Sequence, residues 1–151
     1  MTQREQQLNT FLVTVFHDIL RLEEACLRRA CPNLSVTELH VLEAIAQAAA
    51  GGGRPSMATL AASLGVTGGT VTVAVNTLEQ KGYVRRIRDQ RDRRRVCVQL
   101  TDAARPVLEA HAAFHRRMVR RACARLDEAQ TDALCTALAD LHAFFVSDRC
   151  K

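Results

Sequence analysis

Residues 56–100, SMATLAASLGVTGGTVTVAVNTLEQKGYVRRIRDQRDRRRVCVQL, constrain the fold more than any other part of the 151-residue chain. Ser56 is placed to cap a short helix through Leu64, and Gly65 stands where a left-handed C-cap residue belongs. Thr67 can cap a second helix that runs to Lys81 and stops at Gly82. Two helices across a tight glycine turn make a helix-turn-helix or, taken alone, a plain αα-corner. The next segment of the chain favours the helix-turn-helix. Tyr83 to Arg88 and Arg95 to Leu100 read as strands, the second with Val96, Val98 and Leu100 in alternation. The eleven residues from Arg85 hold seven arginines and two aspartates. A hairpin tipped with arginine directly after a helix-turn-helix is a wing. Its one-sided charge suits phosphates or a narrow minor groove better than it suits plain solvent.

The flanks are helical. Leu8, Phe11, Leu12, Val15, Phe16, Ile19, Leu22 and Cys26 form one stripe, which Cys31-Pro32-Asn33 ends. Ser35 and Glu38 form a capping box for a second helix, with Leu34 and Leu39 placed as its hydrophobic staple. That helix stops at Gly51-Gly52-Gly53, which no Gly-Lys-Ser/Thr follows, so it is not a phosphate loop. Thr101 is read as the cap of a long helix, and Pro106, in its second turn, as a bend. Asp127 and Gln130 restart a last helix, whose stripe is Leu134, Leu138, Leu141 and Phe145. The fold class expected is mainly α with a small β-hairpin wing. Residues 1–151 form a single domain, with 35–100 the winged module and 1–31 and 101–151 dimerisation helices. The apolar stripes of the flanks need a cover, and a second copy is the simplest one.

The totals agree. A net charge of +5 favours a polyanionic partner, and 48% apolar residues allow a core. No stretch approaches the roughly 18 apolar residues of a membrane span, and the N-terminus has no signal-like run, so a cytoplasmic protein is expected. The six cysteines form no CxxC pair, which argues against a zinc finger. Most are expected to be small core residues, with Cys26 or Cys31 the candidates for a redox switch. No nucleophile motif or carboxylate cluster marks an enzyme, and no cofactor is expected. A non-specific architectural DNA binder is the other class to separate.

The segment GGTVTVAVNTLEQKGYVRRIRDQRDRRRVCVQLTDAAR resembles the MarR family of winged helix-turn-helix transcription regulators. The shared pattern is Thr-Val-Thr, Leu-Glu-x-Lys-Gly, a hairpin, Asp-Arg-Arg, and a Leu-Thr that opens the next helix. The resemblance implies a homodimeric, sequence-specific regulator of double-stranded DNA with a palindromic operator, more often a repressor than an activator. On this chain it implies DNA contacts by Ser56, Thr67, Gly68, Gly69, Thr70, Thr72, Asn76, Arg91, Arg93 and Arg94. Many family members carry a charged residue after Thr-Val-Thr, whereas this chain has Val73. With no arginine on the helix for a bidentate guanine contact, A·T-rich sites are expected.

LNTFLVTVFHDILRLEEACLR, LSVTELHVLEAI and EAHAAFHRRMV resemble the branch of that family that represses fatty-acid synthesis with long-chain acyl-carrier protein as corepressor. That resemblance implies an effector pocket built from Phe11, Phe16, His40, His111, Phe114, His115 and Met118. Such a carrier is strongly acidic, and Arg21, Arg28 and Arg29 on the first helix offer it a docking site. A competing resemblance is to zinc-responsive members. His111 and His115 are four apart on one helical face. His40 with Glu24 (or Glu23) could complete a metal set of Glu24, His40, His111 and His115.

Overall fold

The computed structural model describes residues 1–89 and 96–148. Arg91, Arg93 and Arg94, the wing-tip residues expected to meet DNA, lie outside them. The elements are α1 (Gln3–Ala30), α2 (Val36–Ala50), α3 (Met57–Leu64), α4 (Gly68–Gln80), β1 (Val84–Arg88), β2 (Val96–Leu100), a 3-10 turn (Asp102–Ala104), α5 (Arg105–Cys123) and α6 (Glu128–Asp148). The chain forms two compact units, Met1–Phe114 and His115–Lys151.

In the first unit the start signals do what their chemistry predicts. Ser35 accepts from the Glu38 amide at 3.2 Å while the Glu38 carboxylate accepts from the Ser35 amide at 2.8 Å. Ser56 Oγ caps α3 through the Thr59 amide, and Thr67 Oγ1 caps α4 through the Thr70 amide. Gly65 ends α3 at φ 64°, a left-handed conformation that a side chain resists. The buried faces of α2, α3 and α4 then meet. Leu39, Leu42, Ile45, Leu60, Val71, Val75 and Leu78 are all at most 1% exposed. Leu34 and Leu39, the two halves of the expected staple, join this core.

The hairpin is antiparallel, with Val84 opposite Leu100 and Arg88 opposite Val96. Its second strand is tied back to the helices, because the Val98 amide donates to the Pro55 carbonyl oxygen at 2.9 Å and Cys97 bridges Ser56. Val84 and Val98 point into the core. The second strand of the wing is thus anchored at the base of α3.

Three expectations need correction. Thr101 makes no side-chain cap; its hydroxyl donates to the Gly82 carbonyl oxygen at 2.6 Å, and a 3-10 turn intervenes before α5. Pro106 is therefore the second residue of α5 rather than part of a second turn, where its missing N–H leaves no helical bond unmade and need not bend the helix. The cysteines are mostly not core residues: among those described Cys97 is buried, Cys26, Cys31 and Cys123 are half-buried, and Cys135 is exposed.

Glu38 has a second duty that the capping pattern does not reveal. Lys81, at the end of α4, donates to both its oxygens at 2.9 and 2.8 Å. Glu38 is nearly buried, with 9% of its side chain exposed, so removing it strands an ammonium as well as a cap. Glu38→Ala is expected to lower unfolding stability by about 2–3 kcal/mol, read as a shift in the urea midpoint at unchanged slope.

The second unit holds the end of α5 and all of α6. Asp127 and Gln130 exchange backbone-to-side-chain bonds at 3.1 and 2.8 Å, as the restart signal requires. Leu134, Leu138, Phe144 and Phe145 are 39–57% exposed, so α6 presents apolar side chains to its surroundings.

Candidate nucleic-acid interface and effector cluster

The helix-turn-helix presents one face of α4. Val71, Ala74, Val75 and Leu78 turn inward, and Gly68, Gly69, Thr70, Thr72, Val73 and Asn76 turn outward. Thr67, Gly68, Gly69, Thr70, Thr72 and Asn76 are therefore brought together on or beside one exposed surface. The glycines have no packing reason to be there: a Cβ at Gly68 would meet nothing within 4 Å, and at Gly69 only Thr67 Oγ1 at 3.7 Å. Glycine is a poor helix former beside alanine, by about 1 kcal/mol in a helix interior, so helix propensity does not account for a pair of glycines in the first turn. What the pair provides is room for another molecule to approach the backbone N–H groups of the first turn. Ser56 is half-buried, with its hydroxyl held between the Thr59 amide and the Thr59 hydroxyl.

Sequence reasoning missed a network that joins α4 to the wing. Arg86 on β1 ion-pairs through Nη1 with Glu79 and donates through Nη2 to Asn76 Oδ1 at 2.6 Å. Its backbone amide donates to the other Glu79 oxygen at 3.0 Å. Asn76, Glu79 and Arg86 lie on two elements, and only the hairpin register places them together. Arg85, the next arginine, is bonded across the strands to Gln99 at 3.0 and 3.2 Å.

A second cluster lies between α1, α2 and α5. His111 is buried, and its Nε2 lies 2.9 Å from Glu43 and 3.9 Å from the buried Glu23; His40 Nε2 lies 3.7 Å from Glu23. Glu23, not Glu24, faces the histidines. Glu24 is over half exposed and pairs with Arg28 at 2.8 Å, because residues one apart on a helix point about 100° apart. Beside His111 is a cavity of about 30 Å³ lined by Glu23, Cys26, Leu27, Leu39, Val107 and Phe114 among others. Phe114 stacks on His111 at 6.5 Å between ring centroids. Phe11 and Phe16, expected beside it as pocket residues, do not line this cavity and are 66% and 59% exposed. Met118 and His115 belong to the second unit, both half-buried. Glu23 and Glu43 were the signals to weigh: a glutamate on an otherwise apolar helical stripe needs a buried partner.

A helix-turn-helix with an exposed, glycine-opened second helix and an anchored basic hairpin defines a winged-helix DNA-binding protein. The sequence model of the MarR family matches residues 33–95. The chain is 31% identical to FabT of Streptococcus pneumoniae, solved in complex with DNA, over 95% of this chain and 98% of that one, with a TM-score of 0.85. It is also 29% identical to the transcriptional regulator BldR from Sulfolobus solfataricus, covering 95% and 99% of the two chains, with a TM-score of 0.68. The MepR–DNA complex of S. aureus, at 19% identity over 89% and 94% of the chains and a TM-score of 0.75, shares the fold. No curated protein matches the chain. The chain belongs to the MarR family, and is a DNA-binding transcription regulator.

Proposed function

We propose that the protein is a homodimeric repressor of fatty-acid synthesis genes, with long-chain acyl-carrier protein as its corepressor. The observation that carries this reading is the 31% identity to FabT along nearly the whole of both chains, flanking helices included. The outward face of α4 would enter the major groove and the wing would follow the adjacent minor groove. Ser56, Thr67, Gly68, Gly69, Thr70, Thr72 and Asn76, with wing residues Arg91, Arg93 and Arg94, would make the contacts.

The effector side needs movement. A cavity of about 30 Å³ holds no acyl chain, so a chain must part the walls around Phe114 and His111 or use space formed with the second copy. Burial at about 0.8 kcal/mol per CH₂ supplies ample drive for that. The carrier is acidic, and Arg29 at the end of α1 is exposed. Arg21 and Arg28 would have to exchange their present partners, Asp18 and Glu24, for carrier carboxylates.

Zinc is the second reading, and Glu23 between His40 and His111 is what favours it. The set Glu24, His40, His111 and His115 does not fit, since Glu24 is committed to Arg28. With Glu23 in its place, His111 Nε2 still prefers Glu43, a full ångström nearer. The 2.9 Å contact with Glu43 gives the His111 imidazole a carboxylate partner without a metal. Operator affinity measured with palmitoyl-carrier protein, with zinc and with a chelator separates the two. Tightening by the acylated carrier, reduced in Phe114→Ala, is the expected result. Tightening by zinc that His111→Ala abolishes, with no acyl effect, would replace the acyl reading with the metal one.

A further inference from the structure

The side chains on the outward face of α4 offer few free hydrogen-bond donors. Thr72 Oγ1 donates to the Gly68 carbonyl oxygen at 2.8 Å and Thr77 Oγ1 to that of Val73 at 3.0 Å. Their hydroxyl protons are thereby turned back onto the helix. Val73, in the middle of the face, is 67% exposed and offers only methyl groups. Asn76, one turn further, carries an amide on this surface, and one end of it is held. Its Oδ1 accepts from Arg86 Nη2 at 2.6 Å. Arg86 cannot readily swing away, because Glu79 engages both its guanidinium and its backbone amide, and the strand register fixes that amide opposite Val98.

An amide oxygen has two lone pairs, so the clamp acts by orientation. It fixes the amide plane with the oxygen toward β1 and leaves the two N–H donors to face outward. A free asparagine reads adenine by donating to N7 while accepting from the N6 amino group. The clamped one has lost the accepting half of that pair. The major-groove edges that offer acceptors without an amino donor are the keto bases, guanine through O6 and N7 and thymine through O4; cytosine presents an amino donor instead. Val73, three residues earlier on the same face, places methyl groups where a thymine C5-methyl would pack.

We propose that Arg86 is a positioning residue that makes Asn76 a donor-only reader, so that α4 selects a keto base, thymine first, over adenine at one position of each half-site. This rests on α4 being the helix in the major groove.

The test is selection of bound duplexes from a randomised library by the full-length protein, followed by base counts at every position. The parent is expected to favour thymine or guanine over adenine about tenfold at one position per half-site, which corresponds to one good base contact. Asn76→Ala should flatten that position alone. Arg86→Met should move it toward adenine while the other positions keep their preferences. A lost positive charge would weaken binding to all sequences alike and cannot change base identity at a single position. If Arg86→Met does not fold, Glu79→Gln loosens the same guanidinium and should shift the same position in the same direction. The proposal falls if the Asn76-dependent position is adenine in the parent, if no position depends on Asn76, or if loosening Arg86 leaves the keto preference intact. In these three cases the parent's own sequence preference still stands, and with it the role of α4. A parent that selects no sequence removes both.

Discussion

Phe144→Asp is expected to turn the protein into a monomer and to weaken operator binding by roughly 10²–10⁴-fold, the factor lost when two linked sites can no longer engage together. Phe144 and Phe145 are 57% and 53% exposed and contact each other edge-on at 5.5 Å; Leu138 is 50% exposed. Along α1, Leu8, Phe11, Val15 and Phe16 are 50–66% exposed. Exposed apolar side chains in such number suit an interface, and the proposed palindromic operator, read by a symmetric pair, would supply the reason for a second copy. An aspartate in such a seam is a buried charge without a partner. Sedimentation equilibrium at micromolar concentration gives the mass, and anisotropy with labelled duplex gives the affinity. A variant that stays dimeric, or a monomer that still binds a palindrome tightly, counts against the α6 seam.

Leu78→Ala and Val73→Ala should differ sharply although both lie on α4. Leu78 is fully buried in the core shared with α2, and its truncation should cost about 2–5 kcal/mol. That is a large share of the roughly 5–15 kcal/mol that holds a domain of ordinary stability, so DNA binding should fail on modest warming. Val73 is 67% exposed, and its truncation should change stability by less than about 0.5 kcal/mol. Any loss of operator preference in Val73→Ala is then a loss of contact and not of fold. Urea titrations of both variants make the comparison. Equal destabilisation would mean that the two faces of α4 have been assigned wrongly.

The elements written in local code were legible in the sequence. The Ser35–Glu38 box, Ser56, Gly65, Thr67 and the Asp127–Gln130 pair are signals that span three or four residues, and each cap or turn forms where its chemistry places it. The features that stayed hidden depend on elements far apart in the chain. Lys81 reaches Glu38 across 43 residues, and nothing near either residue announces the other. The clamp of Asn76 by Arg86 needs the hairpin register. In composition the arginines of β1 look like a uniform phosphate-binding run, yet Arg85 and Arg86 are occupied by Gln99 and by Glu79 with Asn76. The choice between Glu23 and Glu24 turns on the exact phase of α1. Thr101 misleads because a threonine before a helix looks the same whether it caps that helix or closes the preceding turn.

In the proposed function α4 reads sequence and two copies read it together. The direct measurement is footprinting of the purified protein on a duplex recovered by selection, in competition with a scrambled duplex of the same composition, at fixed salt. A symmetric protected site, with two half-sites about one helical turn apart and a preference over scrambled DNA of at least about 10³-fold, is the predicted result. Equal binding to both duplexes, with protection that follows no sequence, would contradict it and leave a protein that holds DNA by charge alone.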